Sequence, residues 1–424
     1  MKLSGLKLSN YKKLFLKEVI FQFLEKLLRI IIGLIVIKKL TEYFGPANYG
    51  VFNFVEAYFM IFYGLSIFGL DIILVKKLKE NDSEKIIGNG FSILSIFTLL
   101  FFLLSIIILS FSIDSFKQDL LFIVSFGILF NPLYVIECYL VSKNKIRITS
   151  IFKSISFLIK SALILCFIFY ELNLKTFILV IIIEAFTYNL LLLFYFLRLK
   201  KKIIFHFDKK IIKELIKPSF FICLYSLGTM IYFRIDIFMI EIFLSDFEMG
   251  IYTAAYKLIN FTFFIPAIIS NTLFPRIIEI INSNKVDTDS LSRMYKLSFF
   301  VSLLIFAMLF LFSDVLVYNL FGMEFTQSIV ILKIIAFNVV IISVSSIYLR
   351  IIYSNNLESR LLARIIIGIT INILLNLLLI QTYGIQGVAI STLLSLIILE
   401  LFYDFFDIRL INHHIFKLKS ILNL

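Results

Sequence analysis

Apolar runs of about 20 residues, separated by short polar or charged turns, recur from one end of the chain to the other, and a helix of that length crosses roughly 30 Å of hydrocarbon. With a window of about 19 residues, the pattern predicts spans near 19–37, 51–75, 86–110, 120–141, 148–170 and 176–197, then near 218–243, 250–273, 297–317, 326–349, 361–380 and 385–407. The reading is an all-α integral membrane protein with twelve transmembrane helices in two six-helix bundles. The first bundle covers 1–197 with a basic N-terminal segment, and a basic linker follows over 198–217. The second bundle covers 218–407 and a basic tail 408–424. The first bundle ends where the apolar pattern gives way to the linker, a basic amphipathic stretch suited to anionic lipid headgroups.

Composition agrees with that pattern: 61% of the 424 residues are hydrophobic, mean hydropathy is +1.01 and only 16% are charged. The formal charge of +13 would raise nucleic acid as a partner in a soluble domain. Here it follows from topology. Of the 41 Lys and Arg, 31 fall in alternate connections (2–17, 76–85, 143–153, 198–217, 276–296, 350–364 and 409–419), whereas Lys38, Lys39, Lys117 and Lys175 lie on the opposite side. The positive-inside rule then puts both termini in the cytoplasm. Tryptophan is absent, which leaves tyrosine to anchor the interfaces.

The stretch Pro218 to Tyr256 places Arg234 and Asp236 inside an apolar run. A charge at the bilayer centre costs roughly 2.5–3.5 kcal/mol on insertion scales, so such residues face a protein interior or a water-filled cavity. Glu241, seven residues on, shares the Arg234 face of a continuous helix. Lys26, Arg29, Lys160, Lys257 and Lys333 are the other cations within or near spans, with Glu25 and Arg29 spaced to pair. Lys26 and Lys333 lie near span ends and are expected to snorkel. The candidate substrate contacts are Arg234, Lys160, Arg29 and Lys257, with Asp236 orienting or neutralising Arg234. Glu56, Glu184 and Glu241 are candidates to carry a coupling ion, because a buried carboxyl exchanges a proton near neutrality.

The chain also repeats. The turn Tyr43 to Phe52 and the turn Phe243 to Tyr252 each join the first two spans of a half, and Gly50 and Gly250 are 200 positions apart. Two halves in the same orientation imply a pseudo-two-fold axis along the membrane normal. Enzyme signatures are sparse. Asp287-Thr288-Asp289 has the DxD form of some metal-dependent sugar transferases but lacks a βαβ context, and no P-loop, HExxH or GxSxG occurs. Cys138, Cys166 and Cys223 are expected to be small core residues, and His206, His413 and His414 to lie outside the spans. No cofactor or metal is expected.

Arg234 to Met239, followed by Met249 to Leu258, resembles the polysaccharide-unit flippases (O-antigen and capsule transporters of the Wzx type) of the MOP exporter superfamily. Phe44-Gly45-Pro46 with Tyr49-Gly50, Asn131-Pro132-Leu133 with Glu137 and Lys145, Asn372 to Leu377, and Tyr383 to Thr392 resemble the same family. The resemblance implies a bacterial inner-membrane transporter, not an enzyme. It would move an undecaprenyl-pyrophosphate-linked oligosaccharide to the periplasmic leaflet by alternating access through a cationic central cavity. Exchange of protons or sodium would supply the energy, and a polymerase and chain-length regulator would act downstream. A multidrug or metabolite antiporter of the same superfamily is the alternative, and from another class an integral-membrane O-antigen polymerase or glycosyltransferase. The short outer connections disfavour the enzymes.

Overall fold

The computed structural model describes residues 3–81, 84–109, 114–199, 203–281, 287–354, 359–407 and 409–422, with side chains from Glu25 onward except at 271, 275, 353, 354, 359 and 422. Among them the regular structure is entirely helical. The helices are α1 (Leu3–Ile67), α2 (Leu70–Glu80), α3 (Glu84–Leu109), α4 (Ser115–Ser125), α5 (Tyr134–Ser142), α6 (Ile146–Phe169), α7 (Leu174–Arg198), α8 (Lys209–Tyr232) and α9 (Ile235–Phe243). They continue as α10 (Asp246–Thr262), α11 (Phe264–Ile281), α12 (Thr288–Leu311), α13 (Ser313–Leu320), α14 (Ser328–Ile335), α15 (Asn338–Ser354), α16 (Ser359–Ile397) and α17 (Ile411–Leu422).

Ten helical stretches of the described residues are long and apolar enough to cross a membrane. Two of them, Glu25–Glu80 and Arg360–Phe406, hold 56 and 47 residues. At 1.5 Å per residue these would reach about 84 and about 70 Å, far beyond one bilayer. Each is broken by a glycine outside helical backbone, Gly45 at φ 64° and Gly384 at φ 54°, a region that side chains other than glycine enter at a cost. The hydropathy pattern places turns at both points. Other ends are capped: Asn173 accepts from the Thr176 amide, and Ser245 with Glu248 forms a reciprocal capping box.

The chain divides into two compact units, 1–40 with 55–227, and 41–54 with 228–424. In the first, Leu74, Ile87, Ile136, Leu140, Phe196 and Leu215 share one buried cluster. Leu215 belongs to the start of α8, so the segment that reads from sequence as a linker packs into this core. Two contacts fix its approach. The Asp208 amide donates to Asn89 Oδ1 at 2.8 Å, and Lys77 pairs with Glu214 at 3.2 Å. In the second unit the two repeated turns lie against each other. A Cβ at Gly250 would fall 1.9 Å from the Pro46 carbonyl oxygen, and one at Gly50 would fall 2.2 Å from that of Asp246. The glycines 200 residues apart are therefore both required by one close backbone approach.

Candidate functional site

Two membrane helices are interrupted inside their apolar runs, and each break has a polar side chain aimed at it. Between α1 and α2, Phe68 and Gly69 both take positive φ. Asn131, from a 3₁₀ turn over Phe126–Leu133 that contains Pro132, donates to the Tyr63 carbonyl at 2.7 Å and also reaches the Ser66 hydroxyl. Between α8 and α9 the helix breaks at Phe233 and Arg234, where the sequence pattern predicts one continuous span. Tyr256 donates to the freed Phe233 carbonyl at 2.8 Å. A carbonyl left open in hydrocarbon would cost several kcal/mol, so these partners make the breaks tenable.

The first unit collects the charges of α1, α5, α6 and α7. Arg29 pairs with Glu25 at 3.0 Å, the i,i+4 contact expected from spacing, while its Nη2 donates to the Lys153 carbonyl at 2.6 Å and its guanidinium lies 5.1 Å from the Phe157 ring centre. Lys153 pairs with the buried Glu137 at 2.5 Å, and Tyr188 donates to the other oxygen of that carboxylate at 2.6 Å. Two turns further along α6, Lys160 reaches Glu184 at 2.9 Å and Glu56 at 3.3 Å. The candidate substrate cation Lys160 and the candidate ion-coupling acids Glu56 and Glu184 are thus one constellation. Lys153, counted with the connection before α6 in the charge pattern, stands inside the helix beside it.

The second unit holds Arg234, Asp236, Glu241 and Lys257. Arg234 is half-buried at the break, and Glu241 on α9 and Lys257 on α10 are half-buried as well. Asp236 is 3% exposed. Its carboxylate accepts from Tyr252, from Thr392 at 2.6 Å and from Asn376 at 3.4 Å, all neutral donors. The Asn376 amide also donates to Asn372 Oδ1 at 2.9 Å, Asn372 reaches Ser395, and Ser395 meets the Tyr232 hydroxyl at 3.1 Å. Asn376 Oδ1 is buried without a hydrogen-bond partner. Beside Asp236, Tyr256, Asn338 and Thr392 line a cleft of about 10 Å³, the space of roughly one water or one small ion. A buried carboxylate that accepts from two hydroxyls and an amide N–H is a satisfied anion, which takes up a proton or a small cation by displacing one of those donors. Asn372, Asn376 and Thr392 received no role from sequence, although asparagines four apart in an apolar span are the signal that marks them.

A second charged cluster lies at the far end of the same unit. Arg364 of α16 pairs with Glu400 at 2.6 Å, inside a π turn over Ile398–Phe402, and with Asp404 at 3.4 Å, in the 3₁₀ turn Tyr403–Phe406 that follows. From α17, Lys417 donates to the Glu400 carbonyl at 2.8 Å, and His414 lies 3.0 Å from the Leu401 carbonyl and 3.5 Å from Asp404. Burial pulls the Lys417 ammonium below its ordinary value. The basic tail therefore buries His414 and Lys417, at 0% and 2% exposure. Other expectations divide. Cys138 and Cys223 are buried whereas Cys166 is exposed on α6. Asp287 caps α12 through Ser290, whose two hydrogen bonds hold its carboxyl below the usual range, so the DxD stretch starts a helix. Lys333 meets Asp314 at 3.5 Å.

This fold is shared with solved transporters. The lipid II flippase MurJ in an inward closed conformation aligns with a TM-score of 0.71 at 18% identity over 95% of this chain and 90% of that one. An inward-facing multidrug resistance MATE family transporter of the MOP superfamily gives 0.69 at 13% identity, covering 90% and 96%. A MOP superfamily transporter from Pyrococcus furiosus, described as having a binding pocket of reversed polarity, gives 0.64 at 11% identity, covering 95% and 96%. In sequence, the probable low-salt glycan biosynthesis flippase Agl15 of Haloferax volcanii is 27% identical over 174 residues, 40% of this chain. That match spans 36% of the length of the relative. The model of the polysaccharide biosynthesis protein family matches residues 15–281, well over half of the chain and across all of the paired cations of the first unit. With that match joined to a multi-pass helical fold of the MOP type, the chain belongs to the polysaccharide biosynthesis protein family.

Proposed function

We propose that this protein is a flippase for lipid-linked oligosaccharides. It carries an undecaprenyl-pyrophosphate-linked repeat unit from the cytoplasmic to the periplasmic leaflet of a bacterial inner membrane. The observation that carries the reading is the set Arg29, Lys153 and Lys160, three cations drawn into apolar helices and held there by carboxylates. Cations at this depth need a reason, and a pyrophosphate headgroup crossing the bilayer supplies one. The family match, the name of the haloarchaeal relative and the shared fold support the same reading.

In this proposal the chain crosses twelve times, counting each glycine-broken helix as two spans, with both termini cytoplasmic. Lys160, Arg29, Arg234 and Lys257 are the headgroup contacts of this reading. The lipid tail stays in hydrocarbon while the headgroup passes through a cationic cavity by alternating access. Asp236 with Thr392, Asn376 and Asn372 is the site of a coupling ion, a proton or sodium. Those residues fit either one, since they offer a carboxylate, a hydroxyl and an amide oxygen with no hydrogen-bond partner. A polymerase and a chain-length regulator would consume the product.

Deletion in the native host tests the reading. Complete single repeat units should accumulate on lipid at the cytoplasmic face, and a plasmid copy should clear them while one carrying Arg234→Ala should not. Units stranded on the periplasmic face would indicate a polymerase, and truncated units a transferase. An unchanged saccharide pool with altered drug sensitivity would favour an antiporter.

A further inference from the structure

The last helix of the chain is turned inside out. A surface helix facing water buries its apolar stripe and shows its charged one. α17 does the reverse. His414, Lys417 and Ser420, spaced three apart, form its buried face and are at most 4% exposed. Lys417 donates to the Glu400 carbonyl and its ammonium lies 4.4 Å from the centre of the Tyr348 ring, while His414 stands beside Asp404 and the Leu401 carbonyl. Ile411, Ile415 and Leu418, at i, i+4 and i+7, are left half-buried on one outer flank, and Asn412 and Lys419 are exposed on the other.

The surface leading into α17 is apolar as well. Phe402, Phe405 and Phe406, at the end of the apolar stretch Arg360–Phe406, are 54%, 42% and 85% exposed. α17 begins shortly beyond them. Its 12 residues reach only about 18 Å, too short to cross roughly 30 Å of hydrocarbon.

We propose that α17 docks in the bilayer. It lies along the headgroup boundary of the leaflet where α16 ends, with its charged face on the second unit and Ile411, Ile415 and Leu418 among the upper carbons of the acyl chains. Phospholipid is the occupant of the apolar flank. A short helix with separate polar and apolar faces sinks about 5–10 Å into that boundary, and the flank continues the exposed apolar end of a membrane span. Arg409 and Lys419, both exposed, complement anionic headgroups at the same level. Held by lipid on one side and by Glu400 and Asp404 on the other, α17 lets the bilayer bear on the π turn of α16 through Lys417 and His414. Docking is independent of what the protein transports.

Because the chain has no tryptophan, one introduced residue reports its own surroundings. Full-length Ile415→Trp, Leu418→Trp and Asn412→Trp, each matched to wild type by circular dichroism, are reconstituted into vesicles of phosphatidylcholine and phosphatidylglycerol. Emission is quenched from the membrane by phospholipids brominated near the headgroup end of their acyl chains, and from water by acrylamide. The ratio of bromolipid to acrylamide quenching should be several-fold higher for Ile415→Trp and Leu418→Trp than for Asn412→Trp. Leu418→Trp carries the test if Ile415→Trp does not fold. Equal ratios at the three positions would put the flank in water and overturn the docking. Protection of Ile415→Trp and Leu418→Trp from both quenchers would mean that protein, such as a second copy of the chain, covers the flank, and would overturn it too.

Discussion

Replacing Arg364 with methionine removes the cation that two buried carboxylates share. Its guanidinium lies 2.6 Å from Glu400 and 3.4 Å from Asp404, and its side chain is 4% exposed. At an effective dielectric of 20 those separations correspond to about 6 and about 5 kcal/mol of attraction, most of which offsets the desolvation of the three groups. The net cost of deleting one partner is set by what remains. Glu400 would keep Lys417 at 3.6 Å and Asp404 would keep His414 at 3.5 Å, both longer than ideal. Stranding buried charge in this way costs about 3–5 kcal/mol, and the lost contact between Arg364 and the Tyr348 ring, 5.4 Å from its centre, adds about 0.5–2 kcal/mol. Because the chain has no tryptophan, unfolding by SDS titration is best followed by far-ultraviolet circular dichroism. The double variant Arg364→Met, Glu400→Gln should recover part of the loss, with a coupling of about 0.5–3 kcal/mol. A single variant within about 0.5 kcal/mol of wild type, in the range of an ordinary surface change, would show that the cluster does not hold the end of α16.

Other substitutions probe separate features. Gly250→Ala would press a methyl against the Pro46 carbonyl, and the expected result is loss of folded protein from the membrane fraction, equivalent to more than about 3 kcal/mol. Asn131→Ala removes one of two side-chain donors to the Tyr63 carbonyl, the other being Ser66 at 2.8 Å, and should destabilise by about 0.5–1.5 kcal/mol in the same SDS titration. Thr392→Val removes a donor to Asp236 with little change of shape; transport should lose its dependence on the driving ion while affinity for geranyl pyrophosphate, a soluble prenyl pyrophosphate, stays within about twofold, well inside 1 kcal/mol.

The span pattern was legible because hydrophobic length is a strong signal, and both glycine-broken turns fall where polarity interrupts it. Gly50 and Gly250 were legible as a repeat, though their reason, a backbone contact between the two turns, needs three dimensions. The break at Arg234 was not legible, since Ile231 to Met239 holds neither glycine nor proline and the Tyr256 hydroxyl that makes the break tenable comes from another helix. The tail shows a similar limit. His414, Lys417 and Ser420 recur at helical spacing on the face that turns inward, but a helical wheel cannot say which face is covered. For the candidate site, spacing gave the Glu25–Arg29 pair, whereas the joining of Lys160 to Glu56 and Glu184 links positions 104 and 24 residues apart. Lys153 was counted with a connection although the expected span begins at 148, because the positive-inside count takes in charges near a span end.

Translocation itself is the most direct test. Purified protein reconstituted into sealed liposomes with a fluorescent polyprenyl-pyrophosphate-linked oligosaccharide should transfer label from the inner to the outer leaflet, scored by quenching from outside. Wild type should expose inner-leaflet label within minutes, and Lys160→Met, folded by circular dichroism, should match empty liposomes. Wild-type vesicles that leave the inner label protected, or a Lys160→Met variant that flips at the wild-type rate, would contradict the assignment of the paired intramembrane cations to a lipid-linked glycan headgroup.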